Sequence, residues 1–140
     1  MENQRLVEAL LRAMRELRRH YDQSASEMGL TMSRARVVST LARNEGVTQA
    51  ELAALLGIEA PTLKRQIDAL QAQGFVERRG MDGDARKRAL FLTDKGRSAR
   101  ISQFMDKVRG QILEGLQPED AARLTEALEQ IADNAAKLNE

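Results

Sequence analysis

Between Thr48 and Gly74 the chain spells out two short helices whose ends are marked by residue type, and this spacing constrains the fold more than any other stretch. "TQAELAALLG" opens with Thr48 and Glu51 at capping-box spacing, offers Leu52, Leu55 and Leu56 for burial, and stops at Gly57. Two or three residues later Pro61 sits in a first helical turn, where its missing N–H costs nothing. Leu63, Ile67 and Leu70 then form an inner face, and the helix ends before Gly74. Two short helices joined by a tight glycine turn, the second showing polar and basic residues outward, form a helix-turn-helix. Leu52, Leu55, Leu63 and Ile67 are expected to pack between them.

After Gly74 the period changes to that of strands. "FVERR" and "RALFLT" alternate or run apolar, and Gly80, Asp82, Gly83 and Asp84 between them are turn formers, so a hairpin with a long tip is expected. A helix-turn-helix followed by a hairpin is a winged helix. Upstream, Val7, Leu10, Met14, Leu17, Tyr21 and Met28 step in threes and fours along one long helix from about residue 5 to 28, broken by one seven-residue gap and ended by Gly29. Thr31 or Ser33 can cap a second helix bearing Val37, Val38 and Leu41, with Gly46 in the C-cap role. Downstream, Thr93 can cap a helix carrying Ile101, Met105, Val108, Ile112 and Leu116. Pro118 starts a last one with Ala121, Leu124, Leu128, Ile131, Ala135 and Leu138.

Composition excludes several classes. At 140 residues, 42% hydrophobic and 31% charged, the profile is that of one soluble domain with an adequate core. No run approaches a membrane span and the start lacks a secretory layout, so a cytoplasmic location and no membrane partner are expected. The absence of Cys removes disulfides, thiolate nucleophiles, Cys-based oxidant sensing and the common structural zinc sites. No Gly-rich phosphate fingerprint, His pair or nucleophile motif is present, and "DGDAR" breaks the EF-hand pattern; no enzyme, metal or cofactor is expected. Four aromatics are too few for base stacking on single strands.

The net charge of +1 hides an uneven distribution. Residues 59–100 carry 10 basic against 6 acidic side chains, and 101–140 carry 4 against 8. Such asymmetry suits a chain with one region facing a polyanion, although a mixed solvated surface also accounts for it.

The segments "TQAELAALLGIEAPTLKRQIDALQAQGFVERR" and "DGDARKRALFLTDKG", preceded by two helices and followed by two more, resemble the MarR family of winged-helix transcription regulators, including its SlyA-like members. Asp84 and Arg86 match the family's Asp-x-Arg, and Lys87 and Arg88 its following basic residues. The second helix departs from the pattern, opening "LTMSRARVV" where a proline and an aromatic are common. The resemblance spans nearly the whole chain. It implies a mainly α fold with a small β wing, residues 31–96 reading DNA and 1–30 with 97–140 forming a helical dimerisation region. It also implies a homodimer acting as a repressor on a palindromic operator, released by a small aromatic or phenolic anion.

The residues can be assigned roles on physical grounds. Pro61, Thr62, Lys64, Arg65 and Gln66 lie on the candidate recognition helix, where Arg pairs with guanine and Gln with adenine in the major groove. Arg65 is the first candidate for a base contact; Thr62 and Lys64 suit phosphate, as do Thr48 and Gln49 at the preceding helix N-terminus, though Lys64 could equally be solvated. At the hairpin tip Arg86 suits a narrow minor groove. Asp84 either braces the Arg86 guanidinium or bonds its own backbone in the turn, and Arg78, Arg79, Lys87 and Arg88 are candidate phosphate contacts. Apolar stripes on the terminal helices exceed what a small core can cover, so they should meet a second copy or wrap their own core. "RAMRELRRHY" offers Arg15, Arg19, His20 and Tyr21 as a ligand site, with plain surface or interface residues as the alternative. A winged-helix protein-interaction module without ligand response is the competing function.

Overall fold

A computed structural model describes the chain from Met1 to Glu140, except Asp82 and Ala99 and the side chains of Ser24, Ala25, Asp84, Ala85 and Arg86. The described elements run α1 (Glu2–Ser26), α2 (Met32–Ala42), α3 (Gln49–Leu56), α4 (Ala60–Ala72), β1 (Val76–Met81), β2 (Asp84–Leu92), α5 (Asp94–Ser98), α6 (Ile101–Ile112) and α7 (Pro118–Leu138). Among the described residues the protein is mainly α with one two-stranded antiparallel sheet, the winged helix-turn-helix architecture expected from the periodicity. Among the described residues no helix is long and apolar enough to cross a membrane.

Local chemistry explains most boundaries. Thr31, not Ser33, caps α2, its hydroxyl accepting from the Arg34 N–H at 3.2 Å. Thr48 caps α3 by accepting from the Glu51 N–H, and Gly57 ends it in the left-handed region at φ 68. The Glu51 carboxylate accepts from the Thr48 hydroxyl at 3.1 Å, so the pair closes through two side chains. Pro61 lies in the first turn of α4 after Glu59, as its fixed φ favours.

Met1–Val108 forms one compact unit. Its core joins Val37, Val38 and Leu41 of α2, Leu52, Ala53 and Leu56 of α3, and Leu63, Ile67 and Leu70 of α4 to Phe75, Val76, Leu90, Leu92, Ile101 and Met105. Leu55 departs from expectation and is 54% exposed, with Ala53 buried in its place. At about 100° per residue, Leu52, Ala53 and Leu56 share one arc, and Leu55 falls outside it.

The sheet pairs Val76 with Leu92 through Gly80 with Arg88, after which the register slips and Met81 faces Asp84. The strands thus run further toward the tip than the long loop expected, with a bulge on β2. The outer edge of β2 is not left bare. Gly46 N–H donates to Leu90 O, Leu90 N–H to Val47 O, and Leu92 N–H to the Glu45 carboxylate, each at 2.8 Å. This corrects the role given to Gly46: α2 ends at Ala42 with Arg43 as its cap, and Gly46 belongs to the loop that covers the sheet edge.

The helix expected to run on from Thr93 is interrupted. Thr93 does cap α5, accepting from the Gly96 N–H, but Arg100 adopts φ 55 and α6 starts afresh at Ile101. Leu116 lies outside α6, which stops at Ile112 before Gly115 at φ 90 and the extended Gln117 that precedes Pro118. The second compact unit, Arg109–Glu140, contains α7, on which no residue is fully buried.

Gly96 is buried where α5 crosses the start of the wing, and a Cβ there would overlap the Phe75 carbonyl oxygen. Gly96→Ala is therefore expected to cost about 1–3 kcal/mol, read as a lower urea midpoint at unchanged slope.

Candidate nucleic-acid interface

An open cleft lies between the N-terminus of α3, the outer flank of α4 and the wing. It is lined by Thr48, Gln49, Ala50, Lys64, Asp68, Arg78, Lys87 and Arg88. Six of the residues singled out from the sequence therefore meet across three parts of the fold. Lys87 and Arg88 are neighbours that a regular strand would send to opposite faces; the bulge between Asp84 and Arg88 breaks that alternation and both border the cleft.

Burial of Leu63, Ile67 and Leu70 sets the azimuth of α4. At about 100° per residue Arg65 then points most directly away from the core, beside Pro61. Both are exposed, and Arg65 has no ion-pair or hydrogen-bond partner among the described residues. Lys64 lies on the cleft flank and donates to Asp68 Oδ2 at 2.9 Å. Thr62 and Gln66 lie on the other flank, half-buried, and Gln66 Oε1 accepts from Arg34 Nε of α2 at 3.1 Å.

Arg78 and Arg79 project from opposite faces of β1. Arg78 is turned inward, its side chain 18% exposed. Its Nε donates to Gln49 Oε1 at 2.8 Å, its Nη2 to Asp68 Oδ1 at 2.7 Å and its Nη1 to Gln71 Oε1. Arg79 bonds the Glu77 carboxylate and lies over the Phe91 ring, 4.1 Å from its centroid, outside the cleft. The Asp84–Arg86 brace falls on side chains outside the described residues.

Asp68, Gln71 and Arg34 were missed from sequence. The Lys64–Asp68 spacing of four signals a helical ion pair, but the reach to Arg78 comes from another element. Asp68 is the one carboxylate among the described residues lining the cleft. Hydrogen bonds from Lys64, and then from Arg78, hold its pKa below 3.8 against a smaller desolvation effect.

Of the candidate ligand residues, Arg15, Arg19 and His20 are exposed on α1 and Tyr21 packs against the core, its ring 6.5 Å from that of His20 and edge-on. The cleft bordered by α2, α5 and α6 is lined by other residues, among them Val38, Glu45, Arg97, Arg100 and Ile101. Glu45 Oε1 there accepts from Arg97 Nη2 at 2.8 Å.

Because the folded carboxyl titrates below its unfolded value, the stabilisation from Asp68 is complete only well above the ordinary aspartate value of 3.8 and is lost as pH falls through the lowered one. The stability advantage of the wild type over Asp68→Asn should therefore shrink as pH falls from about 5 through the lowered value, measured by thermal unfolding at each pH.

Residues 28–87 match the model of the MarR family. The fold is shared with a MarR transcription regulator from Oenococcus oeni, at TM-score 0.80 and 23% identity over 91% of this chain and 98% of that one. FabT from Streptococcus pneumoniae, solved in complex with DNA, superposes at 0.77 with 20% identity over 97% and 99% of the two chains. A mutant MarR from E. coli, complexed with operator DNA, superposes at 0.77 with 21% identity over 93% and 95%.

Proposed function

On the premise that this chain carries the winged helix-turn-helix of the MarR family at residues 28–87 within a MarR/SlyA fold, we propose that it binds double-stranded DNA sequence-specifically to regulate transcription. The observation that carries this reading is the convergence of Lys64, Arg78, Lys87 and Arg88 on one cleft beside an outward-facing Arg65 that has no partner among the described residues. Relatives of the same fold, FabT and MarR, were solved with DNA.

In this reading α4 enters the major groove. Arg65 reads a base edge, with Pro61 and Thr62 at the same helix end. Lys64, Lys87 and Arg88 hold phosphates, and the α3 N-terminus adds its amides and the Gln49 carboxamide nitrogen, whose oxygen partner Arg78 already occupies. Arg86 takes the adjacent minor groove.

Residues 31–96 form the reading head, and 1–30 with 97–140 the dimerisation region. In the single chain Leu6, Val7, Leu11 and Met14 of α1 are exposed, as are Leu124 and Leu128 of α7. Faces of this kind become stable when a second copy covers them. A two-fold dimer would set two recognition helices about 34–36 Å apart and so demand an inverted repeat. The resemblance to the MarR family supports reading the protein as a repressor at such an operator, with an aromatic anion at Arg15, Arg19, His20 and Tyr21 releasing it.

Selection from random duplexes tests the reading: an enriched inverted repeat is expected, and enrichment of no sequence would contradict it. On the selected site Arg65→Ala should cost about 1–3 kcal/mol per half-site and relax preference at one base pair, measured by titration against single-base variants. Arg86→Ala should weaken binding most on A·T-rich flanks, compared by the same titration on G·C-rich ones.

A further inference from the structure

We propose that Arg78 is a positioning residue that sets the wing against the recognition helix, so that Lys87 and Arg88 reach phosphate together with Lys64. The inference rests on the DNA-binding reading above. It departs from the phosphate contact that residue type and strand position suggest for Arg78.

The guanidinium uses all three of its nitrogens inside the protein, and the acceptors come from separate places. Gln49 opens α3, Asp68 lies in the middle of α4 and Gln71 one turn further along it, 29, 10 and 7 residues from Arg78. A single side chain therefore fixes β1 to both helices of the head at once. With 18% of its side chain exposed, it would have to give up this set of bonds to meet a phosphate.

The chemistry requires arginine. Its planar fork presents donors in fixed directions, whereas a lysine ammonium on a flexible stem is a point charge. Asp68 takes part twice, accepting from Arg78 on one oxygen and from Lys64 on the other. The brace thus also orients Lys64, a cation of the recognition helix, toward the cleft that Lys87 and Arg88 border.

A double-mutant cycle on duplex binding separates positioning from contact. Arg78→Lys keeps the charge and loses the fork. It is expected to weaken binding about tenfold, close to Arg78→Ala, and this loss should largely vanish when Lys87 and Arg88 are already alanine. Near-wild-type binding by Arg78→Lys, or losses that add in full, would make Arg78 a direct phosphate contact and overturn the proposal. Gln71→Ala removes one acceptor without touching the cleft, and should give a smaller, equally non-additive loss. A second readout needs no DNA: hydrogen exchange of the β1 and β2 amides in the free protein should speed up in Arg78→Lys. Unchanged exchange would refute the brace even if the wild type failed to bind duplexes, whereas that failure alone, with faster exchange, would refute only the DNA-binding reading and the wing's role within it.

Discussion

Burial of one face of α4 governs what the rest of the molecule can do. Leu63, Ile67 and Leu70 are 0% exposed, wedged between α2, α3 and the base of the wing. A helix held by three such positions cannot rotate, because a shift of one residue, about 100°, would drive polar side chains into the core. The same restraint aims Arg65 outward and leaves Lys64 and Asp68 facing the wing. Apolar packing is thus what makes the polar face a defined surface.

Electrostatics then works at short range. The chain as a whole is nearly neutral at +1, so no global field draws it to a polyanion. Lys64, Arg78, Lys87 and Arg88 are gathered locally where α4 meets the wing, and cations there and elsewhere are held by carboxylates: Lys64 and Arg78 by Asp68, Arg79 by Glu77, Arg97 by Glu45. Such pairing limits indiscriminate attraction while keeping side chains in fixed orientations. The covering of the β2 edge by Glu45, Gly46 and Val47 serves the same end, since an open edge would let the wing move or pair with other strands.

The sequence made the local features legible because they are encoded locally. Thr48 before an apolar run, Gly57, Pro61 and Gly74 each mark a boundary through the conformation that residue favours, and all four boundaries fall where expected. Leu55 was misjudged because a short, strongly apolar helix does not reveal which arc faces inward. The interruption at Arg100 had no signal, since a left-handed arginine is a tertiary outcome that residue type argues against. The cleft was legible as a set of cations and not as a geometry. Nothing in "VERR" says that Arg78 turns inward to three side chains while Arg79 turns outward onto Phe91; that distinction depends on strand phase and on partners brought near only by folding.

The central claim is that this surface grips the phosphates of duplex DNA, and its most direct test is the affinity for a duplex measured across a series of salt concentrations. Each phosphate neutralised contributes about −0.9 to the slope of log K against log salt, so several contacts per half-site predict a steep linear fall. No binding at low ionic strength, or an affinity indifferent to salt, would contradict the account and leave the head as a docking module for another protein.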